Sequence, residues 1–254
     1  MHYAWLNWSL LLLVVWLAVF LLLGDRKRRR EMLMVSLWTS LLGLTEPLFV
    51  PAYWNPPSLF NLAQTTGFDI ESLLFAFGVG GGAFALYNLL FRAKDASVHA
   101  AERHGPRHRF HFWAIASAPI VFGILVFATN LNPIYDAIIA MFAGGITALY
   151  CRPDLARKML ASAAIFLAFY FLCFLTLIIA YPGYVAAVWN LKALSGILIF
   201  GIPLEELLFA ASFGFLWSGV YEHFTWKRVA YIKSGGIGTT PLDSHTPWGY
   251  HKRI

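Results

Sequence analysis

Long apolar stretches recur along this chain, at about Tyr3 to Gly24, Met32 to Pro51, Phe68 to Phe91, Phe110 to Thr129, Ile134 to Tyr150, Met159 to Tyr181 and Leu194 to Phe224. Each is near the ~20 residues a helix needs to cross the hydrocarbon of a bilayer. With 59% hydrophobic and 13% charged residues, 254 residues cannot hide this surface inside a water-soluble domain. The chain therefore reads as an all-α, polytopic membrane protein with about seven transmembrane helices. The fifth run is short. The seventh is long enough for Pro203 to kink it or to divide it into an interfacial piece and a span.

The basic residues punctuate these runs: five lie in Arg26 to Arg30, five in Arg92 to Arg109, three in Arg152 to Lys158 and five from Lys227 to Arg253, which is 18 of the 19 Lys and Arg. Only Lys192 falls on the other side. The positive-inside rule then puts the N-terminus outside and the C-terminus in the cytoplasm. The net charge of +6 is a matter of membrane topology, and the basic residues form no single folded patch of the kind that binds nucleic acid. Met1 to Ser9 carries no positive charge, so the first span reads as an uncleaved anchor. Cys151 and Cys173 are too few and too poorly placed in the sequence for a disulfide framework or a zinc site.

An internal repeat organises the runs. Residues 67 to 91 and 201 to 225 align through Gly67/Gly201, Glu71/Glu205, Leu73/Leu207, Leu74/Leu208, Phe75/Phe209, Ala76/Ala210, Gly80/Gly214 and Tyr87/Tyr221. Trp54-Asn55 and Trp189-Asn190 echo each other in the loops, as do Arg30 to Leu33 and Arg157 to Leu160. Two units of three spans can run in the same direction only if one extra crossing separates them, and Phe110 to Thr129 supplies it. The expectation is two parallel three-helix repeats joined by a linker helix, divided as residues 1–92, 93–133, 134–230 and a tail of 231–254.

Carboxylates inside apolar runs are costly, and they mark function more often than surface charges do. Glu46, Asp69, Glu71, Glu205 and Glu206 are the candidates. Glu71 and Glu206 each stand 21 residues from a basic edge, at Arg92 and Lys227, which is about 30 Å of helix. Glu46 lies about 21 Å beyond Met32 by the same rise. All therefore lie toward the outer leaflet, within reach of one pocket. Asp69 also suits a plain helix cap. Two close carboxylates in an apolar site resist joint ionisation, so one keeps a proton that can be delivered to an apolar molecule with a protonatable double bond. Ring faces can shelter the resulting cation, with Trp54, Trp189, Tyr53, Phe75, Phe209 and Trp217 at hand.

Pro203-Leu-Glu205-Glu206-Leu-Leu-Phe209, preceded by Trp189-Asn190 and echoed by Trp54-Asn-Pro56 and Phe68-Asp-Ile-Glu71, resembles the membrane-integral lycopene cyclase family. The likeness is to a fused form of the heterodimeric bacterial and archaeal type, and to the cyclase part of fungal bifunctional enzymes. The first half departs from the motif, with Asp69-Ile-Glu71-Ser72 where Pro-x-Glu-Glu stands in the second. The resemblance implies a redox-neutral carotenoid cyclase without cofactor, resident in a bacterial or archaeal cell membrane beside other carotenoid-pathway enzymes. It implies Glu205 or Glu206 as the acid, and Glu71 and Glu46 as the base or as holders of the acid's proton. Trp54, Asn55, Trp189, Asn190, Asp69, Phe75 and Phe209 are the expected substrate-binding residues, with no metal.

Other classes fit less well. No lysine lies between Leu194 and Phe224 to hold retinal, and Asp69 and Asp136 are too isolated to bind magnesium diphosphate. Ala210 stands where an intramembrane glutamate protease needs arginine. His99, His104, His108 and His111 crowd one basic segment, but without a second cluster they read as a solvated loop and not as a di-iron site. Gly78 to Gly82 lies inside a span, where it permits close helix packing and forms no dinucleotide loop. A hydratase using the same cation, and a carotenoid-binding subunit without catalysis, remain the alternatives.

Overall fold

The computed structural model describes residues 2–233 and 236–238. It is mostly helical. The helices are α1 (Ala4–Leu22), α2 (Arg26–Ser40), α3 (Leu62–Thr66), α4 (Ile70–Phe91), α5 (Ala100–Arg103), α6 (His111–Ala128), α7 (Pro133–Cys151), α8 (Ala156–Ala180), α9 (Tyr184–Val188) and α10 (Leu204–Thr225). Five stretches are long and apolar enough to cross a membrane: Ala4–Leu22, Ile70–Phe91, Pro106–Ala128, Pro133–Cys151 and Pro153–Ala180. Two more segments have comparable length but carry more charge. Helix α2 continues as a 3-10 helix, Leu41–Leu48, holding Glu46 and Pro47, and α10 spans 22 residues with Glu205 and Glu206 in its first turn.

Helix α4 packs against α1 and α2, and α10 packs against α7 and α8. Contacts of α4 with α10 and α8 join the two groups at the centre. Helix α6 lies against α7 at the periphery and buries little beyond Ala114, leaving Phe112, Trp113, Ile124 and Phe127 on the outside. In water such a surface has no place, whereas lipid tails cover it without cost.

The aligned helices are alike in detail. Both α4 and α10 have 22 residues. Each follows a glycine with positive φ, Gly67 at 74° and Gly201 at 84°, a conformation that costs an L side chain energy and costs glycine little. Each also ends on a left-handed residue, Arg92 and Trp226. The seventh apolar run is indeed divided: Pro203 is the N-cap of α10, and the residues before it fold into a hairpin of β2 (Leu198–Ile199) and β3 (Ile202–Pro203). Its turn residues, Phe200 and Gly201, both have positive φ, as a two-residue hairpin requires.

A few short strands accompany the helices. At the end of the bundle where the basic segments gather, β1 (Lys94–Ser97) pairs antiparallel with β4 (Lys227–Lys233), and β4 pairs with β5 (Gly236–Gly238). Strand β4 therefore runs across the 230/231 boundary. The rest of the expected tail, residues 234–235 and 239–254, lies outside the described residues. Arg28 donates to the Ala93 carbonyl at 2.9 Å and Lys227 meets Glu31 at 2.7 Å, tying the basic segments to one another. The histidine stretch is also less solvated than expected. His99 and His104 are exposed, but His108 and His111 are half-buried against Cys151.

Candidate active site

At the opposite end of the bundle the two tryptophan loops meet. Trp54 and Trp189 form an antiparallel bridge, flanked by Asn55 N–H to Val188 O and Asn190 N–H to Tyr53 O, both 2.9 Å. The Asn190 side chain donates to the Ala52 carbonyl at 3.1 Å, and Asn132 donates to the same oxygen at 2.9 Å. Asn55 and Asn190 thus work as ties between loops, and the bridge closes this end over the helices. Asn55 also borders a surface depression of about 280 Å³ with Pro47, Val50, Pro51 and Gln64.

Beneath the bridge lies Glu206, buried in α10. Its Oε1 accepts from the Trp189 indole N–H at 2.9 Å and from the Tyr53 hydroxyl, and its Oε2 accepts from the Tyr170 hydroxyl at 2.5 Å. Three donors from three segments therefore surround one carboxyl group. Trp54, on the other side of the bridge, donates its indole N–H to Glu46 Oε1 at 2.6 Å. Each tryptophan holds a glutamate. The two glutamates occupy non-equivalent positions: the residue aligned with Glu206 is Ser72, and Glu46 comes from the 3-10 extension of α2.

Glu205 and Glu71, the aligned pair, face their loops instead. Glu205 Oε1 accepts from Ser195 N–H at 2.8 Å and Tyr135 Oη at 2.6 Å, and Glu71 Oε1 accepts from Leu59 N–H at 2.8 Å. Both are buried, and the second oxygen of each has no hydrogen-bond donor among the described residues. Adjacent helical positions point about 100° apart, which is why Glu205 and Glu206 diverge so far. Asp69 caps α4, accepting from Ser72 N–H at 2.5 Å, and also from the Trp5 indole at 3.3 Å. Capping satisfies one of the donors that every helix start leaves open.

Aromatic rings line the space between the two helix groups. Tyr170 stands between Phe75 (6.3 Å) and Phe209 (6.2 Å), and Phe75 touches Trp5 and Trp8 at 5.4 and 5.6 Å. Trp54 and Trp189 lie 5.2 Å apart. Of the residues singled out from sequence, Glu206, Trp189, Trp54 and Glu46 come together directly, and Phe75 and Phe209 wall the same region. Glu71, Glu205 and Asp69 stand behind it as anchors of loops and helix starts. Tyr170 and Tyr135 were missed, and Tyr53 was seen only as an aromatic ring.

Fold and site together define a helical membrane protein with a carboxylate and aromatic centre near one end of the bundle. Residues 132–224, which run from the start of α7 to the end of α10, match the family model described as lycopene cyclase. The matched segment contains Glu205, Glu206, Tyr170 and Trp189. No curated protein and no solved structure matches the chain.

Proposed function

We propose that this protein is a carotenoid cyclase, acting on lycopene or a similar linear carotenoid, in which Glu206 delivers the proton that starts ring closure. The carrying observation is the set of three donors on Glu206. A carbon–carbon double bond is a weak base, so its protonation demands a strong acid. Hydrogen bonds aimed at the carboxylate that remains are worth most as the proton departs. Oε2 accepts one donor only, from Tyr170, which leaves a lone pair for the transferred proton.

The reaction is redox-neutral. Proton transfer to the terminal double bond forms a C–H bond and leaves a tertiary cation, which a neighbouring double bond attacks to close the ring. A proton then leaves an adjacent carbon, so substrate and product are isomers. Glu46, held by Trp54 across the bridge, is the proposed base. The faces of Phe75, Phe209 and the paired tryptophans shelter the cation. Glu71 and Glu205 hold the loops that bring Tyr53 and Trp189 over the site.

The architecture belongs to the same reading: seven spans, two parallel three-helix units (1–92 and 134–230), and α6 as the linker crossing. Equal lengths and like termini of α4 and α10 support it, as does their matching placement against α2 and α8. The gathering of basic segments at one end supports a cytoplasmic assignment for that end, with the carboxylate site toward the outside. The fused two-half form fits a chain whose two loops bridge each other through Trp54 and Trp189.

Expression in a host that accumulates lycopene, followed by pigment analysis, tests the function. Cyclic pigment of unchanged mass supports it. A product heavier by one water identifies a hydratase, and unaltered lycopene held by the purified protein identifies a binding subunit; either result removes the cyclase reading.

A further inference from the structure

The basic end of the bundle holds a second group of chemistry-bearing side chains, far from the carboxylates. From Glu206 to His223 along α10 is 17 residues, about 26 Å of helix. Here the antiparallel packing of α6 on α7 brings His111, the first residue of α6, to Cys151, the last residue of α7. His108 precedes His111 by three residues in a 3-10 turn (Pro106–Phe110), and that turn repeats every three residues, so both imidazoles fall on one side. Both Nδ1 atoms lie 3.4 Å from Cys151 Sγ, and the three ligand atoms all lie within 4.8 Å of one another.

We propose that His108, His111 and Cys151 form a binding site for one divalent ion of the zinc class. In a tetrahedral site with Zn–N near 2.0 Å and Zn–S near 2.3 Å, nitrogen and sulfur ligands stand about 3.5 Å apart. The two nitrogen–sulfur distances already match this edge. Only the two nitrogens have to approach, and one of them sits on a short connecting turn.

The tautomer of His111 points the same way. Its Nε2 lies 3.2 Å from the His223 carbonyl oxygen, which can only accept, so Nε2 carries the proton. Nδ1 then keeps its lone pair toward Cys151. A ligating imidazole whose other N–H is held by a carbonyl is the arrangement that fixes ring orientation in metal sites. The ring is also clamped between His223 (4.2 Å) and Trp226 (3.9 Å), both nearly parallel to it. His223, stacked on His111, is itself buried, and neither of its ring nitrogens has a hydrogen-bond partner among the described residues.

With three protein ligands, the ion keeps a fourth position open. Its effect is to fasten the turn before α6 to the end of α7, holding the peripheral helix to the bundle. Two histidines of the segment that read as a solvated loop, and a cysteine that read as too poorly placed for zinc, together supply this site.

The test uses the full chain, purified in detergent through a tag without histidines and without chelator. We expect about one zinc per chain by plasma mass spectrometry. After chelation, added cobalt(II) is expected to give the thiolate-to-cobalt charge-transfer band and the visible bands of tetrahedral coordination. Cys151→Ser is expected to lower bound metal about tenfold or more and to abolish the charge-transfer band. His2→Ala, at an exposed residue outside the site, keeps both. Helical circular dichroism and a monodisperse elution profile establish that Cys151→Ser has folded. Should that variant misfold, cysteine alkylation of the wild-type protein, blocked by zinc and released by chelator, reads the same site. Wild-type protein without metal and without the cobalt band overturns the proposal, and so does a Cys151→Ser protein that retains the band.

Discussion

Trp54 and Trp189 face each other across an antiparallel bridge with their rings 5.2 Å apart, and each gives its indole N–H to a different glutamate. The two tryptophan loops are thus joined by the same residues that set the carboxylates. Trp189→Phe keeps the ring stack and removes one of the three donors on Glu206. We expect it to fold and to lower cyclic pigment in a lycopene-making host about tenfold or more, as losing a charge-stabilising donor does. Trp54→Phe releases Glu46, and a smaller fall in the same direction is expected. If both variants yield wild-type pigment, the pair is packing only.

Glu206 and Glu205 are neighbours in sequence with different surroundings, which separates their substitutions. Glu206→Gln removes the proposed proton donor, and a loss of about a hundredfold or more in cyclised product is expected. In Glu205→Gln the amide oxygen can still accept from Tyr135 and Ser195 N–H. That weakens hydrogen bonds worth about 1 kcal/mol each, so a loss below about tenfold is expected. Pigment ratios at matched membrane levels of the two variants make the comparison. Equal losses would mean that Glu205 takes part in proton transfer directly.

How much of this was legible from residues alone depends on whether the signal was local. Glu206 stood out because a carboxylate inside an apolar run is rare, and Trp54-Asn55 with Trp189-Asn190 because the pair recurs. The division of the last run at Pro203 followed from the missing N–H of proline. Tyr170 was hidden because, within an aromatic-rich helix, a tyrosine reads the same whether its hydroxyl meets a headgroup or a buried acid. Only packing between α8 and α10 decides that. The contact of His108 with Cys151 spans 43 residues and depends on α6 lying antiparallel to α7, so no ligand spacing announced it. Strand β4 is short, and its partner β1 lies more than a hundred residues away.

Near the basic end, Lys158 of α8 and Glu222 of α10 form a buried ion pair. Two charges leave water here together, and the structure tolerates them only as a pair. Lys158→Met alone strands a carboxylate and is expected to destabilise by about 3–5 kcal/mol, read as a large fall in Tm in detergent. The double replacement Lys158→Met with Glu222→Leu removes both charges and is expected to recover most of that loss. A double variant no more stable than the single one refutes this account.

Gly80 and Gly214 are aligned residues of α4 and α10, and a methyl group at either meets a neighbouring helix. At Gly80 it falls 2.2 Å from Thr39 Oγ1 of α2, and at Gly214 it falls 2.8 Å from the Ser162 carbonyl of α8. Thr39 has little room to yield, since its hydroxyl donates to Val35 O at 2.7 Å and accepts from the Trp217 indole at 2.8 Å. Backbone at Ser162 cannot swing aside at all. Gly80→Ala and Gly214→Ala are each expected to cost about 1–3 kcal/mol, the range for overfilling a packed interior. Gly123 of α6 provides the contrast, because a methyl group there meets nothing within 4 Å. Gly123→Ala is expected to leave Tm unchanged or slightly raised, as alanine favours helix over glycine. Thermal unfolding of the three variants in one detergent decides the matter: equal tolerance at all three positions would contradict close packing of α4 on α2 and of α10 on α8, and with it the equivalence of the two halves.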